Sequence, residues 1–410
     1  MTVFVLAVFA VVYVSMAIGR WPGLQIDRTG IALLGALVLY GGGAIDGAGA
    51  LAAIDFPTLA ILFGLMVLSA QFAASGFYDW TSQRIAMADA APSLVLGLVV
   101  VTAGGLSTIL ANDVVVFAMT PLLCRGLLGR GWDPRPFLIA LAGAANAGSA
   151  ATMIGNPQNV LIGQVGKLDF WSFVVVCGLP ALFALAAVYL TVWLTWRGRL
   201  RMTAAPPQPS GAVPPLDRIG VAKGGAATLL LLGLFLSPLP AATSVLLVTG
   251  CLLISRRMAT RQMLSLVDWH LLVLFAGLFV VTACFSASGL PARALAEFGG
   301  AAQALGHLAL LAPISLLGSN TVGNVPLVML LLSGAPSLTD GTYYAIALFT
   351  TLAGNLLLVG SFANIIVVER AAQEGVRLGF YEHARCGIPM TILSFAGAGA
   401  WLLATGTIRP

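Results

Sequence analysis

Residues Asn146 to Gly163 read NAGSAATMIGNPQNVLIG, and the fold turns on this stretch. It sets Asn146, Ser149, Thr152, Asn156, Gln158 and Asn159 within a chain that is 59% hydrophobic and 9% charged. Asn156 precedes Pro157, which biases its backbone toward the extended region. The proline itself removes one backbone donor and crowds the preceding turn, so a helix entering the stretch breaks there. In hydrocarbon the freed amides and carbonyls cost several kcal/mol each, so such a break survives only when it is buried in protein or lines a wet cavity. Two half-helix ends then meet near the middle of the membrane. One is a positive dipole end suited to an anion, and the other offers open carbonyls suited to a cation.

The rest of the chain supplies the membrane. Its 410 residues have a mean hydropathy of +0.98, which a water-soluble domain cannot carry without large exposed apolar patches. Apolar runs of about 17 to 25 residues, enough to cross a core of roughly 30 Å as helix, recur from Val3–Ile18 through Ile388–Ala404. Period-2 alternation is absent, which selects helices over barrel strands. The first run has no basic leader and no small-residue cleavage site, so it reads as a retained helix. Five scattered cysteines without a CxxC argue against a disulfide scaffold or a zinc site. No GxxxxGK[ST] occurs, so ATP-driven pumping would need a separate ATPase subunit.

The chain also repeats itself. IDFPTLAILFGLMVLSAQFAASGF is followed 213 residues later by VDWHLLVLFAGLFVVTACFSASGL, pairing Asp55 with Asp268 and Gly64 with Gly277. STILANDVVVFAM matches SNTVGNVPLVML, with Ser107 over Ser319 and Asn112 over Asn324. GNPQNVLI matches GSFANIIV, with Gly155 over Gly360 and Asn159 over Asn364. This is an internal duplication, with residues 1–196 as the first repeat, 197–222 as a Pro-rich basic linker and 223–410 as the second repeat. The expected fold is an all-α polytopic membrane protein of two inverted-topology repeats, each with five transmembrane helices, one of them broken, and a re-entrant helical hairpin. Five crossings per half invert the second half. A cytoplasmic linker then leaves only Lys167, Arg293 and Arg409 of the 20 basic residues outside, as the positive-inside rule requires. Arg20, Arg28, Arg201, Arg256 and Arg257 are among those counted inside. Both termini are then periplasmic and the net charge of +5 needs no nucleic acid. Two ordinary crossings in place of each hairpin keep the same parity, so charge bias leaves both arrangements open.

The candidate site follows from the duplication. A second interruption, AGNLLLVGSFAN with Asn355, Gly360, Ser361 and Asn364, lies at the place in the second half that Gly155, Asn156, Pro157, Gln158 and Asn159 hold in the first. Matched breaks in the two halves of a membrane protein point to a transport site. Two further segments, GGLSTILANDVVVF and LLGSNTVGNVPLV, put Ser107, Thr108, Asn112, Asp113, Ser319, Asn320, Thr321 and Asn324 at apolar hairpin tips. Asp113 is the one acid within these four segments. It either carries a proton or cation, as intramembrane carboxylates do, or caps the second hairpin arm. No Lys or Arg falls inside them, so an anion would rest on helix ends, hydroxyls and amides, whereas a neutral hydroxylated solute such as arsenous acid would suit an all-neutral site. Asp55 and Asp268 read as helix caps. His270 and His307, without metal-ligand spacing, read as packing or interfacial groups, and Cys177, Cys251 and Cys284 as core filling. Trp171 and Trp269 fit an aromatic belt.

These motifs, AND in the first hairpin, GNPQN in the first break, SNT in the second hairpin and GNLLLVGSFAN in the second break, resemble the ion transporter superfamily over nearly the whole chain. That superfamily gathers arsenite-pump permeases, citrate transporters, NhaD-type sodium/proton antiporters and sodium-coupled divalent-anion symporters. The resemblance implies an elevator-type carrier in a bacterial inner membrane, a homodimer, cargo held between hairpin tips and broken helices, and sodium or protons as coupling ions with no other cofactor. A passive channel on the same frame would need a continuous selectivity ring, and an intramembrane enzyme would need a catalytic constellation. The sequence offers neither.

Overall fold

Acidic residues mark where the helices start. Asp27, Asp46, Asp55, Asp169, Asp217 and Asp268 each occupy an N-cap, and each accepts a backbone N–H from the first turn, from Gly30, Gly49, Thr58, Ser172, Ile219 and Leu271. Asp55 and Asp268 are therefore caps, as expected. Ser172 beside Asp169 donates from its amide and hydroxyl, which holds that carboxyl below the usual aspartate range.

The computed structural model describes residues 1–18, 25–200, 215–255, 258–290, 305–334 and 338–410. Arg20, Arg201, Arg256, Arg257, Arg293 and most of the expected linker lie outside them. The first half comprises α1 (Thr2–Ile18), α2 (Arg28–Gly41), α3 (Gly47–Ala53), α4 (Phe56–Ala74), α5 (Phe77–Ala86), α6 (Pro92–Ile109), α7 (Asn112–Gly129), α8 (Arg135–Ser149), α9 (Pro157–Val165) and α10 (Phe170–Trp196). The second half runs α11 (Arg218–Leu234), α12 (Ala241–Leu253), α13 (Thr260–Leu264), α14 (Trp269–Ala287), α15 (Leu308–Thr321), α16 (Asn324–Ser333), α17 (Asp340–Ala353), α18 (Phe362–Gln373) and α19 (Phe380–Ala404). Apart from α5, which follows the long helix in the first half, the described order is the same in both halves: two helices, a short connector, a long helix, a helical hairpin, an interrupted pair and a long closing helix. Among the described residues there is no strand, only an isolated bridge between His307 and Arg409.

Two differences from expectation have local causes. The Asp217 cap starts α11 at Arg218, so the linker boundary expected at 222 falls inside a helix. The count of five crossings and a hairpin per half leaves out α3, α5 and α13, which at 7, 10 and 5 residues are too short to leave an apolar window.

Among the described residues, six helices (α4, α6, α7, α10, α14 and α19) are long and apolar enough to cross a membrane. Helix α8 is buried along its whole length from Pro136 to Ser149, and α17 from Thr342 to Ala353. These two form the centre on which the hairpins lie. The first hairpin reaches it because Gly148 has no Cβ. A methyl there would run into the backbone of Gly104 on α6. At the end of α10 the indole of Trp196 lies 5.5 Å from the Arg135 guanidinium, which pairs with both Asp133 and Glu382 and so joins the starts of α8 and α19.

Candidate functional site

The first break spans seven residues between α8 and α9. Asn156 is extended (φ −150°, ψ 160°), as a residue before proline should be, and Pro157 takes the first helical position of α9, where no N–H is missed. The Asn156 side chain caps α9 by accepting the Asn159 N–H at 2.9 Å, and the Asn159 amide donates to the carbonyls of Ser149 (3.2 Å) and Thr152 (3.1 Å) that the break frees. In the second break, a 3-10 turn at Leu358–Gly360 bridges α17 and α18. There Ser361 caps α18, and the Asn364 amide donates to the carbonyls of Gly354 (2.8 Å) and Leu357 (3.0 Å). Each of these four residues lies 205 positions after its counterpart.

The hairpin turns lock onto the breaks in the same paired manner. The Thr108 hydroxyl donates to the carbonyls of Gly104 and Gly148, and the Asn320 amide to those of Leu316 and Ala353. The Asn112 N–H donates to the Gly155 carbonyl at 3.2 Å. Gly155 and Gly360 are glycines because a Cβ would meet the Ser107 carbonyl at 2.7 Å in the first case and collide with the Asn320 side chain in the second.

The halves then exchange contacts. Asn146 of the first half donates to Asn364 (3.3 Å) and accepts from Ser361 (2.9 Å) of the second. Thr351 of the second half donates to Asn159 (3.3 Å) and accepts from Asn156 (3.2 Å) of the first. Residue i meeting j while the equivalent of j meets the equivalent of i is the signature of a two-fold relation. Asn146 also donates to Asn355 (2.8 Å), and Gln158 donates to Thr351 (3.2 Å).

Between the two breaks lies a small chamber of about 20 Å³, lined by Asn112, Asp113, Asn146, Pro157, Gln158, Asn324, Gly360, Ser361 and Phe362, and by Arg28. It adjoins a vestibule of about 860 Å³ that also reaches Asp113 and Pro157 and is otherwise largely apolar, with Asp79, Arg125, Asp268, His270 and Arg370 on its walls. Asp113 is half-buried where the two spaces meet. It does not cap α7, whose N-cap is Ala111, and its carboxylate makes no hydrogen bond or ion pair among the described residues. Asp113 nonetheless lies in the first turn of α7, where a carboxylate favours the helix start without a cap hydrogen bond.

Not every expected residue reaches the chamber. Thr108, Thr152, Asn159, Asn320, Asn355 and Asn364 hold the surrounding backbone in place. Ser107 and Ser319 are fully buried behind it. Thr321 is exposed, and its hydroxyl donates back to Leu317 and Gly318 within α15.

Sequence reasoning missed Arg28 and His383. Arg28 belongs to none of the four polar segments and was counted only as a topological charge. His383 of α19 is fully buried and contacts the Asn355 carbonyl through Nε2 at 3.1 Å, bracing the second break. The nearness of GNLLLVG to its own helix could not reveal a residue 28 positions on.

Paired polar breaks closed by paired hairpin turns, inside a bundle of apolar helices, define a multi-pass membrane transporter. Residues 4–343 match the family described as Citrate transporter (CitMHS), and the chain belongs to that family. It is 28% identical over 438 residues to a 46 kDa membrane protein of Mycobacterium leprae, covering 98% of both chains. It is 28% identical to the silicon efflux transporter LSI3 of Oryza sativa subsp. japonica, covering 94% of each. An arsB-named transporter of Dictyostelium discoideum is 23% identical, over 90% of this chain and 86% of that one. The crystal structure of the Alcanivorax borkumensis YdaH transporter shares the fold at 14% identity, with a TM-score of 0.57 over 99% and 98% of the two chains.

Proposed function

We propose that the protein is a secondary active carrier that moves a small anion or a hydroxylated solute of the arsenite kind through alternating access, with Asp113 holding the coupling proton or sodium ion. The observation that carries this reading is the chamber itself. Both breaks and both hairpin turns converge on it, and the single carboxylate at its edge makes no hydrogen bond or ion pair among the described residues. A coupling group must stand unpaired and reach both cargo and water, and the vestibule supplies that water path.

The carrier works by moving the hairpins and breaks as a body against α1, α2, α4, α11, α12 and α14. Hydrogen bonds from Thr108 to Gly148 and from Ser361 to Asn146, both residues of α8, support treating those parts as one unit. A cytoplasmic linker fits the contacts at the surface, because the groups that touch are those assigned to one face. Lys223 donates to the carbonyls of Leu252 and Ile254, Arg125 pairs with Glu374 at 3.2 Å, and the Asp217 N–H reaches the Ser75 carbonyl. The linker end at Pro215 to Asp217 adjoins Ser75 and Gly76, beside the vestibule, so this conformation opens inward.

The test is solute accumulation in proteoliposomes of the purified protein under an imposed proton or sodium gradient, with citrate, arsenous acid and silicic acid as probes. Gradient-driven accumulation is expected for at least one of them. Asp113→Asn is expected to abolish it while leaving the melting temperature unchanged. Undiminished coupled uptake in that variant would remove Asp113 from the mechanism.

A further inference from the structure

Arg28 is the first residue of α2, far in sequence from the hairpins and breaks, yet its side chain forms part of the chamber wall. The guanidinium carbon lies 5.2 Å from the ring centroid of Phe362, the first residue of α18, at the positive end of that helix. Arg28 is half-buried, and among the described residues it makes no hydrogen bond or ion pair; Asp27 beside it is occupied in capping α2. Arginine cannot shed its proton, so the chamber wall carries a fixed positive charge that has no ion-pair partner among the described residues. Removing such a charge from water without a partner is costly, and a bound anion removes the cost.

A second observation points to the same ligand. Asn112 and Asn324 occupy equivalent positions in the two hairpins, and they are 5% and 9% exposed. Both line the chamber, and both have a side-chain amide oxygen without a hydrogen-bond partner. Buried amides are left unsatisfied in pairs only where something else satisfies them. A hydroxycarboxylate or a hydrogen-oxyanion brings charged oxygen for the guanidinium fork and a separate hydroxyl that can donate to the amide oxygens.

We propose that Arg28 selects anionic over neutral cargo by binding a carboxylate or oxyanion group that enters the chamber while the rest of the molecule lies in the vestibule. This rests on the chamber being the cargo site of a carrier. Asp113 shares the chamber, so an anion loads when that carboxylate is neutralised by its coupling cation, which ties the two ligands together. Asp79, Asp268, Arg125 and Arg370 line the vestibule, where they face the rest of the cargo molecule.

Thermal stabilisation of the purified full-length protein tests the assignment, with citrate, succinate, phosphate and sulfate as anions and arsenous and silicic acids as neutral probes. At least one anion is expected to raise the melting temperature of the wild type. Arg28→Gln is expected to weaken that anion's apparent affinity by tenfold or more, and Arg28→Lys by severalfold through loss of the fork, with neutral-probe binding unchanged. Wild-type anion affinity in either variant overturns the proposal, as does a wild type stabilised by no anion. If Arg28→Gln melts lower without ligand, Arg28→Lys decides. The proteoliposome assay separates the two claims. Arg28-dependent anion binding without any accumulation sinks the carrier reading alone, and gradient-driven accumulation indifferent to Arg28 sinks this one alone.

Discussion

Asn146 uses both ends of its short side chain across the interface between the halves. Its amide nitrogen serves Asn355 and Asn364 and its oxygen accepts from Ser361, so one side chain pins both ends of the second break. Thr351, its counterpart 205 positions on, has a single hydroxyl for Asn156, Gln158 and Asn159. Asn146→Ala should therefore cost more stability than Thr351→Val. The loss expected is about 1–3 kcal/mol for each buried group left without a partner, and thermal unfolding in detergent measures it. His383→Leu strips the Asn355 carbonyl of its partner and should fall in the same range for one group. The sequence made the asparagines legible, because polar amides beside Gly and Pro in an oily chain have no cheaper explanation. It did not make Arg28 or His383 legible. Both reach the site through tertiary packing, and a lone basic residue at a helix start reads equally well as a topological charge.

Among the elements, the contact between α6 and α8 leaves little room for change. Gly148→Ala should leave little folded protein, because the added methyl meets the backbone of Gly104 and not a movable side chain. Gly105→Ala, one position along α6, meets nothing within 4 Å and should be neutral. Expression and size-exclusion profiles of the two variants compare them directly. The caps give a smaller effect. Asp169→Ala should destabilise α10 by about 1 kcal/mol at neutral pH. Because the Asp169 carboxyl titrates below the usual aspartate range in the folded protein, its stabilisation is present above that range and lost as pH falls through it. The difference between variant and wild type should then shrink in melts recorded at low pH. Long apolar helices and proline breaks announced themselves in the sequence. The connectors α3, α5 and α13 did not, since a helix of two turns at a membrane surface has neither an apolar window nor a sustained period.

For the whole molecule, the two halves meet by exchanging equivalent contacts, and the vestibule lies beside the linker end rather than centrally. That placement yields a labelling pattern. In a cysteine-free background, Gln83→Cys on the vestibule wall should react with a membrane-impermeant maleimide applied from the linker side, and Lys167→Cys, at the far end of α9, from the opposite side. Reaction of both from one face would refute the inward-open reading. The duplicated segments made the two-fold arrangement foreseeable. That the vestibule would lie beside the linker end could not be foreseen, because the polar segments do not reveal which surface their cavity reaches.

The pairing is imperfect at Arg28. The start of α2 corresponds to the start of α12, and 213 residues on from Arg28 the chain has Ala241, beside a separate cavity of about 270 Å³. With a guanidinium at one helix start and a methyl group at the other, two places that the duplication makes equivalent differ by a full charge. The frame is repeated, but its electrostatics are not.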